Sequence, residues 1–221
     1  MNDFEKYFRS RKNNSSILRD YIKSVNNSMI SPYIVEEHVQ NVATMDVFSR
    51  LMQDRQIFFG TEVDSDSANI IVSQLLYLDS VGDGEITMYV NSPGGSVYAG
   101  NGILDTMAFI NSDVRTICTG LAASMGSMIL MCGTRGKRSA LPMSRVMIHQ
   151  PLGGCDGQAT EMLIQAKEIE RCRKELYELI SQRTGKSFEQ VSQDCERNNW
   201  MTAEEAKSYG IIDEVIEVKR D

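Results

Sequence analysis

Between residues 56 and 149 the chain alternates three times between strand-like and helix-like patterning, and few folds accept that alternation. Gln56-Ile-Phe-Phe59 reads as a strand. Ser67 is placed to cap a helix carrying Ile70, Ile71, Val72, Leu75, Leu76 and Leu78. Gly82-Asp83-Gly84 then turns the chain into a strand, Glu85 to Val90. After the interruption Asn91-Ser-Pro-Gly-Gly95, a helix is predicted from Val97 to Ile110, with Ile103, Leu104, Met107 and Phe109 on its apolar side. A strand over 114–119, an apolar helix at Met128–Met131 and a strand from Arg145 to His149 complete the series. Strands joined through helices pair in parallel by right-handed crossovers. The expectation is an α/β fold of repeated βαβ units.

The flanks read differently. Residues 1–30 are polar, rich in Asn and Ser, and without clean periodicity, which predicts a flexible leader or propeptide ahead of a single domain over 31–221. His38 falls in a polar, solvated stretch, and Val47–Asp54 forms a short amphipathic helix. Past Pro151, the glycines at 153, 154 and 157 make a loop before one long helix over 160–183. Its charged faces alternate in sign, as suits an arm that reaches another subunit. Ser187 caps a helix to about Arg197, Thr202-Ala-Glu-Glu205 fits a capping box, Gly210 stops that helix, and Ile211–Ile216 closes as a strand.

A net charge of −7 argues against nucleic-acid binding and against docking on anionic lipid. No stretch reaches the roughly 18 apolar residues of a membrane span. The charged N-terminus has no apolar core of a secretory signal, so the chain is expected in the cytoplasm. Five cysteines without a Cys-x-x-Cys pair read as reduced thiols, and two histidines without ligand spacing argue against a metal site.

The chemistry is concentrated in three runs. Gly120-Leu-Ala-Ala-Ser-Met-Gly-Ser127 places Ser124 among small residues between a strand and a helix, where a sharp turn exposes its Oγ. The same run suits a turn where a helix packs close to a sheet. His149 ends an apolar strand and lies where parallel folds gather catalytic groups, and an imidazole is the side chain that can take a serine's proton, although a structural histidine fits there too. Gly94-Gly95 lets backbone N–H groups approach a ligand, and Met125 offers another N–H at a helix start. No Gly-Lys-Ser/Thr follows Pro-Gly-Gly, which excludes a phosphate loop.

Taken in order, Asn91-Ser-Pro-Gly-Gly-Ser-Val97, Gly120-Leu-Ala-Ala-Ser-Met-Gly126, Met147-Ile-His-Gln-Pro-Leu-Gly-Gly154, Gly157-Gln-Ala159 and Thr202–Asp213 closely resemble the ClpP serine peptidase family over residues 30–217. The resemblance implies a crotonase-like α/β core with a protruding handle at about 152–184. It makes Ser124 the nucleophile and His149 the base, with the N–H groups of Gly95 and Met125 as the oxyanion hole. Gly95, Ser96 and Val97 on one side, and Leu152, Gly153 and Gly154 on the other, would hold substrate as an added strand. It further implies two stacked seven-membered rings that enclose the sites and receive unfolded protein from an ATP-driven AAA+ unfoldase. The ATP is used by that partner and no cofactor by this chain. Glu196 and Arg197 would bridge the rings, and Tyr89 and Phe109 would line the unfoldase docking pockets.

One position departs from the family. Its third triad residue is an Asp, and Asn198 stands there in Asp194-Cys-Glu-Arg-Asn-Asn-Trp200, with Asp194 placed one helical turn earlier. Asn can orient His149 but cannot neutralise its imidazolium. The alternative to a peptidase is therefore a weak or inactive ring subunit acting in a mixed assembly. Within the same fold class the rival is an acyl-CoA enzyme, which needs the paired N–H groups but no Ser–His pair.

Overall fold

The structure, a computed structural model, describes residues 33–38, 41–154 and 156–218. The leader expected over 1–30 and Cys155 lie outside the described residues. The chain divides into two compact units between Leu51 and Met52. In the first, β1 (Tyr33–His38) and β2 (Asn41–Asp46) pair antiparallel with Tyr33 opposite Asp46 and His38 opposite Asn41. That hairpin has no counterpart among the elements expected from the sequence. Helix α1 (Val47–Gln53) starts where the Phe48 and Ser49 amides donate to Asp46 Oδ1 at 3.0 and 3.1 Å.

In the second unit, β3 (Gln56–Phe59), β4 (Ile86–Ser92), β5 (Val114–Ala123), β6 (Arg138–Ala140) and β9 (Glu214–Val215) lie side by side in that order, all parallel. β7 (Arg145–Ile148) pairs in parallel with the second half of β5, and β8 (Asn199–Thr202) adds antiparallel to β7. The crossovers are α2 (Ser65–Val81), α3 (Val97–Phe109) and α4 (Met125–Met131). Leu75, Ile103 and Ile129 from these helices share one core with Ile86, Met88 and Val90 of β4. Thr87 and Tyr89, on the opposite face of β4, are only half-buried. The long helix α5 (Ala159–Thr184), then α6 (Phe188–Asp194) and α7 (Ala203–Tyr209), complete the chain. Exposed Glu–Arg and Glu–Lys pairs three and four residues apart run along α5, consistent with its alternating charge.

The α/β alternation holds as expected, with four local differences. The cap of α2 is Asp64 rather than Ser67: Asp64 accepts from the Ser67 amide at 2.8 Å, and the Ser67 hydroxyl closes the capping box from the third helical position. β5 does not stop at 119 but continues to Ala123, through the Gly-Leu-Ala-Ala run expected to be a turn. It continues because it changes partner, from β6 at residues 116–118 to β7 at 121–123. At the changeover the β4–β5 register slips, and the Leu121 amide donates to the Asn91 side chain at 3.1 Å instead of to a neighbouring strand. α6 ends at Asp194, so Asp194 and Asn198 do not share a helix face. The chain straightens after Cys195 and enters β8, a strand absent from the sequence reading. The closing strand is only Glu214–Val215.

Candidate active site

Register brings the three runs together. Ala123 of β5 lies opposite Met147 of β7, and Ile148 of β7 lies opposite Asn199 of β8. The residues just past or just before those pairs, Ser124, His149 and Asn198, therefore emerge at one edge. On the other side of β5, Ser92 of β4 pairs with Ala122, which delivers Gly94 and Gly95 to the same place.

Ser124 sits at φ 52° and ψ −124°, a left-handed conformation that a side chain rarely adopts. It is held on both sides. Its amide donates to Met147 O at 2.8 Å, and its carbonyl accepts from the Ser127 amide and hydroxyl at 3.0 and 2.7 Å. The small neighbours have measurable reasons. A Cβ on Gly94 would lie 2.7 Å from Ser124 Cβ, and one on Gly126 would lie 2.7 Å from Ser92 O.

The Ser124 hydroxyl lies 2.8 Å from His149 Nε2, and Asn198 Oδ1 lies 3.2 Å from His149 Nδ1. An amide oxygen can only accept, so the network assigns the ring proton to Nδ1 and leaves Nε2 free to accept from Ser124. That is the tautomer a general base requires. Asp194 is turned away and occupied: Tyr209 O–H donates to it at 2.8 Å and Gln190 Nε2 at 2.9 Å. Burial and the neighbouring Asp194 together push the Tyr209 hydroxyl far above its ordinary pKa, so it stays a donor.

The sequence reading missed Gln150. Its amide donates to Cys195 O at 2.7 Å and its side chain to Glu196 O at 2.9 Å. These bonds fasten the 195–198 turn to the strand end that carries His149. Asn91 and Ser92 were likewise read only as part of a loop. Asn91 satisfies the irregular stretch of β5, and the Ser92 hydroxyl accepts from the Gly94 amide at 3.2 Å. The Asn-Ser pair directly before Pro-Gly-Gly was the available signal.

Gly94 and Gly95 have φ of 93° and 148°, and a Cβ on Gly95 would meet Val63 O at 2.2 Å. Val63 pins the loop through Val63 N–H to Gly94 O at 2.8 Å and Ser96 N–H to Val63 O at 2.7 Å. The Gly95 and Met125 amides have no acceptor among the described residues, and Met125 begins a helix, where none is available within the helix. Beside Ser124 and His149 is a narrow cavity of about 20 Å³ walled by Val97, Met125, Met128, Pro151 and Leu176. Leu152, Gly153 and Gly154 run exposed past it. The arrangement can activate a hydroxyl, offer two N–H groups to an oxyanion, and flank an extended chain on two sides.

The remaining expected residues lie elsewhere. Glu196 and Arg197 are exposed in the turn before β8, Tyr89 stands on the half-buried face of β4 between Phe58 and Ile117, and Phe109 is exposed at the end of α3. Among the described residues no group of His, Cys, Asp and Glu is placed to hold a metal, and no helix is long and apolar enough to cross a membrane. Cys118, Cys132, Cys172 and Cys195 are free thiols.

A family model described as Clp protease matches residues 39–219. The chain is 58% identical over 222 aligned positions to the ATP-dependent Clp protease proteolytic subunit of Porphyromonas gingivalis, covering 100% of both chains. It is 59% identical over 204 residues to the subunit of that name from Bacteroides fragilis, covering 92% of this chain and 98% of the relative. It is 45% identical over 203 residues to the ATP-dependent Clp protease proteolytic subunit 1 of Salinibacter ruber, covering 91% of this chain and 87% of the relative.

Proposed function

The chain belongs to the Clp protease family, and from that premise we propose that it is a serine endopeptidase in which Ser124, His149 and Asn198 form the catalytic set. The carrying observation is the relay from Ser124 Oγ to His149 Nε2 at 2.8 Å and from His149 Nδ1 to Asn198 Oδ1 at 3.2 Å. As Oγ attacks the scissile carbonyl carbon, its proton passes to Nε2. The N–H groups of Gly95 and Met125 donate to the oxyanion. The imidazolium then protonates the departing amine. In the second half a water gives its proton to Nε2 as it attacks the acyl-serine, and Ser124 recovers the proton on release. Asn198 accepts from Nδ1–H throughout and keeps the ring in register.

Substrate lies as an extra strand between Gly95-Ser96-Val97 and Leu152-Gly153-Gly154, a mode that reads main chain and tolerates many sequences. The side chain preceding the scissile bond enters the apolar cavity at Val97 and Met128, which at about 20 Å³ widens as the side chain enters. The relatives' names speak of ATP dependence, and the same dependence is proposed here through an AAA+ unfoldase that docks at Tyr89 and Phe109 and delivers unfolded chains. Two stacked heptameric rings, joined through Glu196, Arg197 and the handle α5, enclose the sites in the cytoplasm.

Two measurements on one sample test this. The purified chain is expected to assemble to a fourteen-subunit mass in native mass spectrometry and to hydrolyse a short fluorogenic peptide. A fluorophosphonate probe is expected to label Ser124, and Ser124→Ala is expected to lose labelling and turnover with its assembly intact. An assembled protein that neither labels nor hydrolyses would overturn the proposal.

A further inference from the structure

A second, wider cavity of about 390 Å³ opens where the two substrate-flanking segments leave the reacting serine. It shares Val97 and Pro151 with the narrow cavity and continues along Tyr98, Leu152 and Gly154, with Glu168 and Ile169 of α5 as its floor. The floor is close: a Cβ on Gly153 would lie 2.6 Å from Ile169 Cδ1. Side chains of an extended peptide alternate between faces, so the side chain sharing a face with the one in the narrow cavity lies two residues away, roughly 7 Å along the strand.

Among the described residues, Glu168 is the one charged side chain lining this cavity. Among the described residues, all its contacts fall on one oxygen. Oε1 accepts from Tyr98 O–H at 3.4 Å, from Arg171 Nη2 at 3.2 Å and from the Cys172 thiol at 3.9 Å. Oε2 has no partner among the described residues. Arg171 is two-thirds exposed, is shared with Glu175 at 3.7 Å and does not line the cavity, so it screens the carboxylate weakly.

The geometry points to a specificity subsite: the cavity floored by Glu168 selects a basic side chain at the third residue before the scissile bond. The aliphatic stem of a lysine lies along Ile169 and the Tyr98 ring while its ammonium donates to Glu168 Oε2. This inference rests on the peptidase reading above and adds to it which substrates that site prefers.

The test uses the full-length assembled protein and four fluorogenic peptides that differ only at that third position: Ala, Lys, Glu, and norleucine, which has the stem without the charge. For the wild-type chain kcat/KM is expected to be about fivefold higher for Lys than for norleucine, and lowest for Glu, the size an exposed ion pair supports. In Glu168→Gln the Lys-to-norleucine ratio is expected to fall to about one, and Glu168→Lys is expected to favour the Glu peptide. Equal rates for all four peptides in the wild-type chain, or a Lys preference that survives Glu168→Gln, overturn the subsite alone. Hydrolysis of none of them overturns the peptidase reading and the subsite together.

Discussion

Asn198 carries no charge, yet its oxygen faces His149 and sets the tautomer that an ionised carboxylate would set. In serine proteases of other folds, replacing the triad Asp by Asn costs about 10⁴ in kcat through the wrong tautomer. With the tautomer already correct here, what Asn lacks is only the attraction between a carboxylate and the imidazolium formed during proton transfer. Asn198→Asp is therefore expected to raise kcat for a fluorogenic peptide by about tenfold, well short of that full factor. Equal or lower turnover with the assembly intact would show that the site is built around the neutral amide. Ser124 illustrates a complementary cost. Its φ of 52° is strained, and the strain persists because Met147 O on one side and Ser127 on the other fix both of its backbone groups.

At the scale of elements, the site depends on where strands end. β5 and β7 stop one residue before Ser124 and His149, and β8 starts one residue after Asn198, so the register of each pair aims a side chain. Gln150 ties down the short turn between α6 and β8 with one backbone and one side-chain bond. Gln150→Leu removes the side-chain bond and keeps the volume. It is expected to lower kcat about fivefold, the equivalent of one net hydrogen bond of about 1 kcal/mol, with KM little changed. Steady-state kinetics separates the two: a rise in KM at constant kcat would mean that Gln150 serves substrate binding instead.

At the scale of the whole molecule, the C-terminal segment closes the sheet through a nearly buried ion pair. Arg138 and Asp213 meet at 2.6 Å with side-chain exposures of 6% and 24%. Asp213 also accepts from the Gly136 and Arg138 amides at 2.8 and 3.0 Å. Burial pushes the Asp213 carboxyl up, but the hydrogen bonds and the Arg138 charge outweigh it, and its pKa lies below the ordinary value. A depressed carboxyl stabilises the fold above its unfolded pKa of about 3.9, and that stabilisation is lost as pH falls through the lower folded value. Asp213→Asn is expected to cost about 3 kcal/mol at pH 7 by denaturant unfolding, because it leaves Arg138 buried without a counter-charge. The wild-type advantage should shrink steadily below pH 4. A difference that stayed constant down to pH 2 would show that the carboxylate charge contributes nothing.

Local patterning alone determined the parallel α/β core, the long α5, the capping box at Thr202 and the stop at Gly210, because each depends on hydrophobic period or on cap chemistry within a few residues. It also marked Ser124, His149 and the Gly-Gly loop, through residue types that few other roles require. Tertiary structure alone decided that β5 runs through its small-residue stretch, and that residues 199–202 form a strand that carries Asn198 to the histidine. Each of these outcomes depends on a partner strand or side chain far away in the sequence. A strand gains its second row of hydrogen bonds only when such a neighbour arrives, and no local pattern records which neighbour that will be.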